Sequence, residues 1–229
     1  MYWTDIVCQM LSVFRKGYET MVPIESYKAN PCKMLSIPYW KAKSISVHPD
    51  MKIVHDSEYD GRIFERCHDT KYFRLIHTLS DIPELTAPGI SLETIPPHQT
   101  DELAEMINRC YTHSQICVSG EYVKGLTETP VYCPELWIGA VFNGNLIGSV
   151  LCDYDAETGE GIIEWLQVLP KYRGRGIASA LVCKGLKIMS GFADFATVSG
   201  ECENVTNPEG VYRKCGFTGN DVWHILRGC

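Results

Sequence analysis

The sequence predicts an α/β (α+β) chain in which helices and strands are interleaved along most of its length. Three stretches carry that reading. Apolar residues recur at helical spacing in 100–110 and again in 177–189, and between them they alternate or run on as strands do. The long charge-free stretch Leu136–Cys152 is broken in its middle by Asn143-Gly144-Asn145, the signal of a hairpin rather than of a membrane span.

Composition bounds the rest. A chain of 229 residues holds one large domain, or a principal domain and a small one. Its 45% apolar and 21% charged content is that of an ordinary globular protein. Lys and Arg number 21 against 28 Asp and Glu, a net charge of −7. An acidic chain repels phosphate backbones overall, which argues against broad nucleic-acid binding and weakly favours a cationic or amine substrate. The 11 cysteines are scattered, odd in number and without a C-x-x-C pair, so free thiols in a reducing, cytoplasmic compartment are expected. Cys110, His113 and Cys117 share a helical spacing that three zinc ligands also use. With no fourth ligand indicated they read as core residues, and no metal is expected. At the N-terminus an acidic residue precedes the apolar stretch and Arg15-Lys16 follows it, the reverse of a signal peptide.

In chain order, residues 5–16 place Ile6, Val7, Met10, Leu11 and Phe14 on one helical stripe, with Thr4 or Asp5 as cap. An irregular stretch with Pro23, Asn30-Pro31 and Pro38 follows. Ser44–Val47, Lys52–His55 and Tyr72–Leu79 then read as strands, and Trp40, Phe64, Tyr72 and Phe73 as core aromatics. Residues 1–88 thus form a small α+β region of unassigned role, ended by the proline-rich linker Pro83–Gly89, and 89–229 form the main unit. Ile90–Ile95 alternates as a strand and Pro96-Pro97 stops it. Thr100 caps a helix whose first turn carries Asp101 and Glu102 and whose buried stripe is Leu103, Met106, Ile107 and Cys110. Residues 112–135 read as loop. Leu136–Phe142 and Leu146–Tyr154 form the hairpin, and the turn Ala156–Gly159 leads to the strand Ile162–Val168. Helix Ile177–Met189, a strand near Ala196–Gly200, a short helix Pro208–Lys214 and a strand Val222–Leu226 complete the chain.

The stretch 162–178 concentrates the chemistry. A strand, a turn with Gly174 and Gly176, and a helix start make an anion site, because the first N–H groups of a helix lack partners and its dipole is positive there. The glycines fit neither the dinucleotide pattern nor a P-loop, since Lys184 lies well inside the helix. A plain turn with an exposed arginine pair is the alternative.

Arg173-x-x-Gly176-x-Ala178, preceded by Val168 and Pro170, resembles the acetyl-CoA motif of the GNAT superfamily of N-acetyltransferases: Gln or Arg, any two, Gly, any one, Gly or Ala. Downstream, Val211-Tyr212 and Gly216-Phe217 after an Asn resemble a second motif of that family. Asn207 is favoured over Asn204 for the Asn because Asn-Pro is a frequent form. The element order from residue 89, β-α-β-β-β-α-β-α-β, is that of the GNAT fold, which implies a mixed central sheet flanked by helices. The resemblance implies acetyl transfer from acetyl-CoA, as co-substrate, to a primary amine by direct attack. It places the co-substrate on Leu166, Gln167, Val168, Arg173, Gly174, Arg175, Gly176, Ile177, Ala178 and Asn207. The N–H of Leu166 or Val168 would face the oxyanion, and Lys171, Arg173 and Arg175 would meet CoA phosphates. Tyr212 would protonate the departing sulfur. Glu164 is the candidate base, expected by strand period to face the same way as Leu166 and Val168; a structural charge pair, with water as base, is the alternative. Glu121, Tyr122 and Tyr132 are candidate acceptor contacts. The implied partner is a small-molecule or peptide amine, with no nucleic acid and no membrane, and homodimer formation stays open. A non-catalytic acyl-CoA sensor, or transfer of a longer acyl or an aminoacyl group, remains an alternative.

Overall fold

A computed structural model describes residues 22–45, 47–111 and 117–229. The helix expected over 5–16 and His113 lie outside the described residues. Eight strands form one sheet in the order β1-β8-β2-β7-β6-β5-β4-β3. They are β1 (Met51–His55), β2 (His68–His77), β3 (Ser91–Thr94), β4 (Tyr132–Phe142), β5 (Asn145–Asp155), β6 (Glu160–Val168), β7 (Phe195–Glu201) and β8 (Thr218–Arg227). All neighbours are antiparallel except β6 and β7. That parallel pair requires a crossover, which the helix between them supplies. The helices are α1 (Ile24–Ala29), α2 (Pro31–Met34), α3 (Tyr39–Ser44), α4 (Thr100–Cys110), α5 (Gly120–Leu126), α6 (Ile177–Met189) and α7 (Pro208–Lys214). Among the described residues no helix is long and apolar enough to cross a membrane.

The core lies where the expected apolar stripes meet. Leu103, Met106, Ile107 and Cys110 of α4 and Leu181, Val182 and Leu186 of α6 are buried together against Ile138, Val150, Phe73 and Leu75 of the sheet. By the alternation of a strand, Tyr72 and Arg74 of β2 face the other side, where α1 to α3 lie. There Tyr27, Leu35, Tyr39, Ala42 and Phe195 make a second, smaller core. The hairpin turn has Asn143 at φ 50° and Gly144 at φ 74°, the two positive values that a two-residue turn matched to strand twist needs.

Several expectations need correction. Ser44 ends a helix and is not the start of a strand; its Oγ donates to the carbonyls of Trp40 (3.4 Å) and Lys41 (3.1 Å). Helices α1 to α3 have four to six residues each, too short to show a helical period in the sequence. Residues 112–135 are not all loop: Ser119 caps α5, its hydroxyl accepting from the Tyr122 N–H at 3.0 Å, and β4 already starts at Tyr132. Gln99 precedes α4, so Thr100 is its first residue rather than its cap. Cys67 and Cys229 are not free but form a disulfide. The register explains the pair: His68 lies opposite Arg227 across β2 and β8, which brings the flanking cysteines to a Cα separation of 4.5 Å. The free-thiol expectation holds for eight described cysteines, Cys32 and Cys110 among them.

Strands β1 and β2, from the segment before residue 89, share the sheet with strands after it, and β2 lies between β8 and β7. A buried ion pair joins these parts. Arg74 of β2 donates to Glu160 of β6 at 3.2 Å, with both side chains almost fully buried. The Tyr27 and Thr197 hydroxyls donate to the same carboxylate at 2.7 and 2.5 Å, and Arg74 also donates to the Tyr27 oxygen at 2.8 Å. Burial lifts the Glu160 carboxyl above its ordinary range, and the guanidinium opposes the rise.

A buried pair broken on one side leaves an uncompensated charge. Arg74→Met is therefore expected to lower unfolding free energy in urea by about 3–5 kcal/mol, with Glu160→Gln in the same chain restoring a large part of the loss.

Candidate functional site

Two hollows lie on opposite sides of β6, and one feature of the strand creates both. Glu160–Ile163 pairs with Phe195–Val198 of β7, and beyond Ile163 the pairing stops while β6 runs on to Val168. From there the sheet is open between β6 and β7.

The first hollow is a cleft of about 550 Å³. Leu166, Gln167 and Val168 form one wall, the turn with Gly174 and Gly176 and the start of α6 another, and Asn207, Pro208 and Val211 a third. Gly174 (φ 76°) and Gly176 (φ 78°) adopt the left-handed conformation that glycine accepts without strain. No neighbouring atom lies within 4 Å of a Cβ built on Gly174, so its turn leaves open space beside the backbone. Gly176 precedes α6 with no side chain to cap it, and the first bond into the helix is Ala180 N–H to the Gly176 carbonyl at 3.0 Å. The N–H groups of Ile177, Ala178 and Ser179 precede that bond at the positive end of a 13-residue helix. Unpaired donors and positive charge thus face the same open space.

The basic side chains divide their tasks differently from the sequence expectation. Arg173 donates to the carbonyls of Val168 (3.0 Å) and Cys110 (2.9 Å), so its guanidinium ties the turn to β6 and α4. Arg175 and Lys171 lie over the Tyr172 ring, 5.3 and 5.8 Å from its centroid. Lys214 and Tyr111 also border the cleft, and no sequence signal pointed to either. Asn207 does reach the cleft: it caps α7 at φ 47°, its Oδ1 accepting from the Gly210 N–H at 3.2 Å. Asn204 instead closes a local turn, accepting from the Thr206 N–H at 2.9 Å.

Tyr212, between the cleft-lining Val211 and Lys214 in sequence, does not itself line the cleft but is buried in the core, with its ring 6.2 Å from Phe73 and 5.8 Å from Phe217. Burial, with the Tyr111 phenol as a second cause, pushes its hydroxyl far above the ordinary phenol value. It therefore carries its proton at neutral pH, which suits a donor and excludes a phenolate base. Tyr111 is itself pushed up by burial to about 12.

The second hollow, on the opposite face, corrects the expected direction of Glu164. Leu151 of β5 pairs with Trp165 and Cys152 with Ile163, so Glu164 is the extra residue of a β-bulge and the period of two is broken there. Glu164 and Trp165 both line this second cavity, whereas Leu166 and Val168 line the cleft. The Glu164 carboxylate is bound by Lys41 of α3 at 2.5 Å, a pair only 12% and 13% exposed. Beside it Asp153 of β5 also lines the cavity. Burial, then the Glu164 charge, hold the Asp153 carboxyl well above the ordinary range, with Lys41 opposing. Of the three expected acceptor contacts, Tyr122 reaches this cavity; Tyr132 stands edge-on to Trp137 at 5.1 Å, and Glu121 is exposed on α5. The sequence missed Asp153 and Lys41, which look like ordinary surface charges until α3 is folded onto the sheet. Cys110 is buried with its thiol 3.7 Å from the Met106 sulfur. Among the described residues no group of three or more His, Cys, Asp or Glu is placed to hold a metal ion.

Comparison with known proteins agrees with this geometry. The family model described as "Acetyltransferase (GNAT) family" matches residues 100–217, a little over half of the chain. An acetyltransferase of Yersinia pestis (strain Pestoides F) is 45% identical over 51 residues, which are 22% of this chain and 35% of that protein. An N-alpha-acetyltransferase MAK3 of Arabidopsis thaliana is 33% identical over 87 residues, 37% of this chain and 45% of that one. The match thus spans about a third of the length of the first of these relatives and under half of the second. Among solved structures, a GCN5-related N-acetyltransferase from Sphaerobacter thermophilus is similar in fold, with a TM-score of 0.65 at 23% identity over 77% of this chain and 58% of that one. An acetyltransferase from the GNAT family of Colwellia psychrerythraea gives a TM-score of 0.55 at 14% identity over 76% and 64%.

Two substitutions separate the arginine bonded to backbone carbonyls from the one lying over the Tyr172 ring. Arg173→Ala is expected to cost about 1–2 kcal/mol in urea unfolding because two charge-assisted bonds to backbone carbonyls are lost. Arg175→Ala, by contrast, is expected to stay within about 0.5 kcal/mol.

Proposed function

The chain belongs to the acetyltransferase (GNAT) family, and on that premise we propose that it is an N-acetyltransferase moving the acetyl group of acetyl-CoA to a primary amine by direct attack. The observation that carries this reading is the parting of β6 from β7 above the uncapped start of α6. The donor's phosphates fit the free N–H groups of Ile177, Ala178 and Ser179, and the open space at Gly174 leaves room for their approach. Lys171, Arg175 and Lys214 add positive charge around that turn, while Arg173 holds its shape. With the phosphates there, the reactive end of the donor runs along Leu166–Val168, whose edge facing β7 is free of strand pairing.

What acetyl-CoA supplies is an activated thioester; the chain supplies position and protons. Backbone N–H groups of Leu166 or Val168 are the donors for the oxyanion. The Tyr212 hydroxyl, protonated at neutral pH, is the acid that meets the departing sulfur, a group of ordinary thiol acidity near 8.5. An amine attacks only when neutral, so a base must take its proton. Glu164 stands at the bulge for that task, directly or through water, with Lys41 fixing its orientation.

The whole chain is expected to bind acetyl-CoA in a calorimeter and to release CoA thiol when an acceptor amine is present. Tyr212→Phe should lower kcat by about 100-fold or more while leaving acetyl-CoA affinity nearly unchanged, since general acids contribute on the order of 10²–10⁴. Absence of acetyl-CoA binding, or a Tyr212→Phe enzyme with unchanged kcat, would end this assignment.

A further inference from the structure

The cavity on the far face of β6 has a composition that selects among amines. We propose that the acceptor is a small monoamine carried on an apolar, ring-bearing body, held in this cavity with its ammonium on Asp153. The inference rests on the acetyl-transfer reading above and adds to it the class of acceptor and the residue that recognises it.

Size is the first argument. The cavity encloses about 110 Å³, comparable to the apolar void of roughly 150 Å³ that takes up a benzene molecule in another protein. One ring or a short branched chain fills it, and an aminoglycoside does not fit. Its walls are the second argument. Trp40, Trp137, Trp165, Trp223, Tyr72 and Tyr122 surround it, drawn from α3, β4, β6, β8, β2 and α5. Such walls favour an apolar body and, through their ring faces, a single cation. A second ammonium would be stripped of water there without a second anion to meet it, whereas the unpaired Ser36 Oγ, Trp40 Nε1 and Trp137 Nε1 can take up a single polar substituent.

Charge is the third. Lys41 pairs with Glu164 at 2.5 Å, and beside them burial and the Glu164 charge hold Asp153 toward its neutral form. A single ammonium arriving there lets Asp153 ionise, and a second has no further carboxylate to meet it. Place is the fourth: Glu164 and Trp165 of β6 and Ser199 of β7 border the cavity just beyond the last β6–β7 pair, Ile163 with Val198, and the cleft wall Leu166–Val168 begins on the other side of the same opening. An ammonium on Asp153 therefore lies beside the gap through which the thioester is reached.

The test uses the full chain with acetyl-CoA and reads CoA thiol release with 2-phenylethylamine, spermidine and a short peptide with a free N-terminus. The expected result is a kcat/KM for 2-phenylethylamine at least about 100-fold above the other two, since uncompensated polar groups in an apolar pocket discriminate on that scale. Asp153→Asn should raise KM for 2-phenylethylamine about tenfold or more, as loss of one charge-assisted bond does, with acetyl-CoA affinity unchanged. Leu126→Trp, which fills the cavity mouth from α5, should remove turnover of 2-phenylethylamine while calorimetric binding of acetyl-CoA persists and reports an intact fold. Preference for spermidine or the peptide, or an Asp153→Asn enzyme with unchanged KM, overturns the acceptor assignment and leaves acetyl transfer standing. Acetyl-CoA binding with no thiol release from any of the three amines counts against acetyl transfer itself and takes the acceptor assignment with it. The comparison of amines on the unaltered protein needs no variant, so it decides the matter even if a substituted chain fails to fold.

Discussion

The buried contact of Arg74 with Glu160 is the constraint on which the rest of the molecule depends. Glu160 opens β6, Thr197 lies in β7, Arg74 lies in β2 and Tyr27 comes from α1, and all four meet around one carboxylate. A carboxylate taken out of water is tolerated only with its charge compensated and its lone pairs occupied. The four elements are therefore held together at the end of the sheet where β6 and β7 are still paired. Because that end is held shut, the other end can stand open: β6 leaves β7 after Ile163 without the two halves of the sheet drifting apart.

The open end gives β6 two working faces. On one, the strand runs into a glycine turn and the bare start of α6, a place for anions. On the other, the bulge at Glu164 turns two consecutive side chains toward an aromatic-walled cavity that Asp153 also lines. Glu160 faces α1, and regular alternation keeps Glu164 on that same side; the bulge then turns Leu166 and Val168 to the cleft face, so that the carboxylate and the cleft wall part company. The unpaired N–H groups at the start of α6 thus lie on the cleft side of β6, and the Glu164 and Asp153 carboxyls on the cavity side.

Much of the main unit was legible because its signals are local. Ile177–Met189 and Pro208–Lys214 match the sequence reading residue for residue, since a left-handed glycine or asparagine stands before each and an apolar stripe or a proline follows at once. The Asn143-Gly144 hairpin and the strand before the glycine turn are local in the same sense. The helices α1 to α3 escaped because none is long enough to repeat a period, and α5 because a glycine opens it within a polar stretch. The Cys67–Cys229 bond escaped for a different reason: its partners are 162 residues apart and meet only through the pairing of β2 with β8.

By itself the sequence determined the turn chemistry, the helix starts and the family resemblance, and with them the glycine turn that leaves the start of α6 uncapped. Those features are written in neighbouring residues, whose dihedral preferences and spacing act over a few positions. Only the tertiary structure decided which charges face each other. Lys41 and Glu164 lie 123 residues apart, Asp153 stands on a neighbouring strand, and the tryptophans around them come from α3, β4, β6 and β8. Electrostatic and apolar contacts depend on distance in space, and a register shift of one residue at the bulge is enough to exchange the faces of β6. No pattern along the chain records that shift, so the surroundings of Glu164 and Asp153 become readable only once the sheet is assembled.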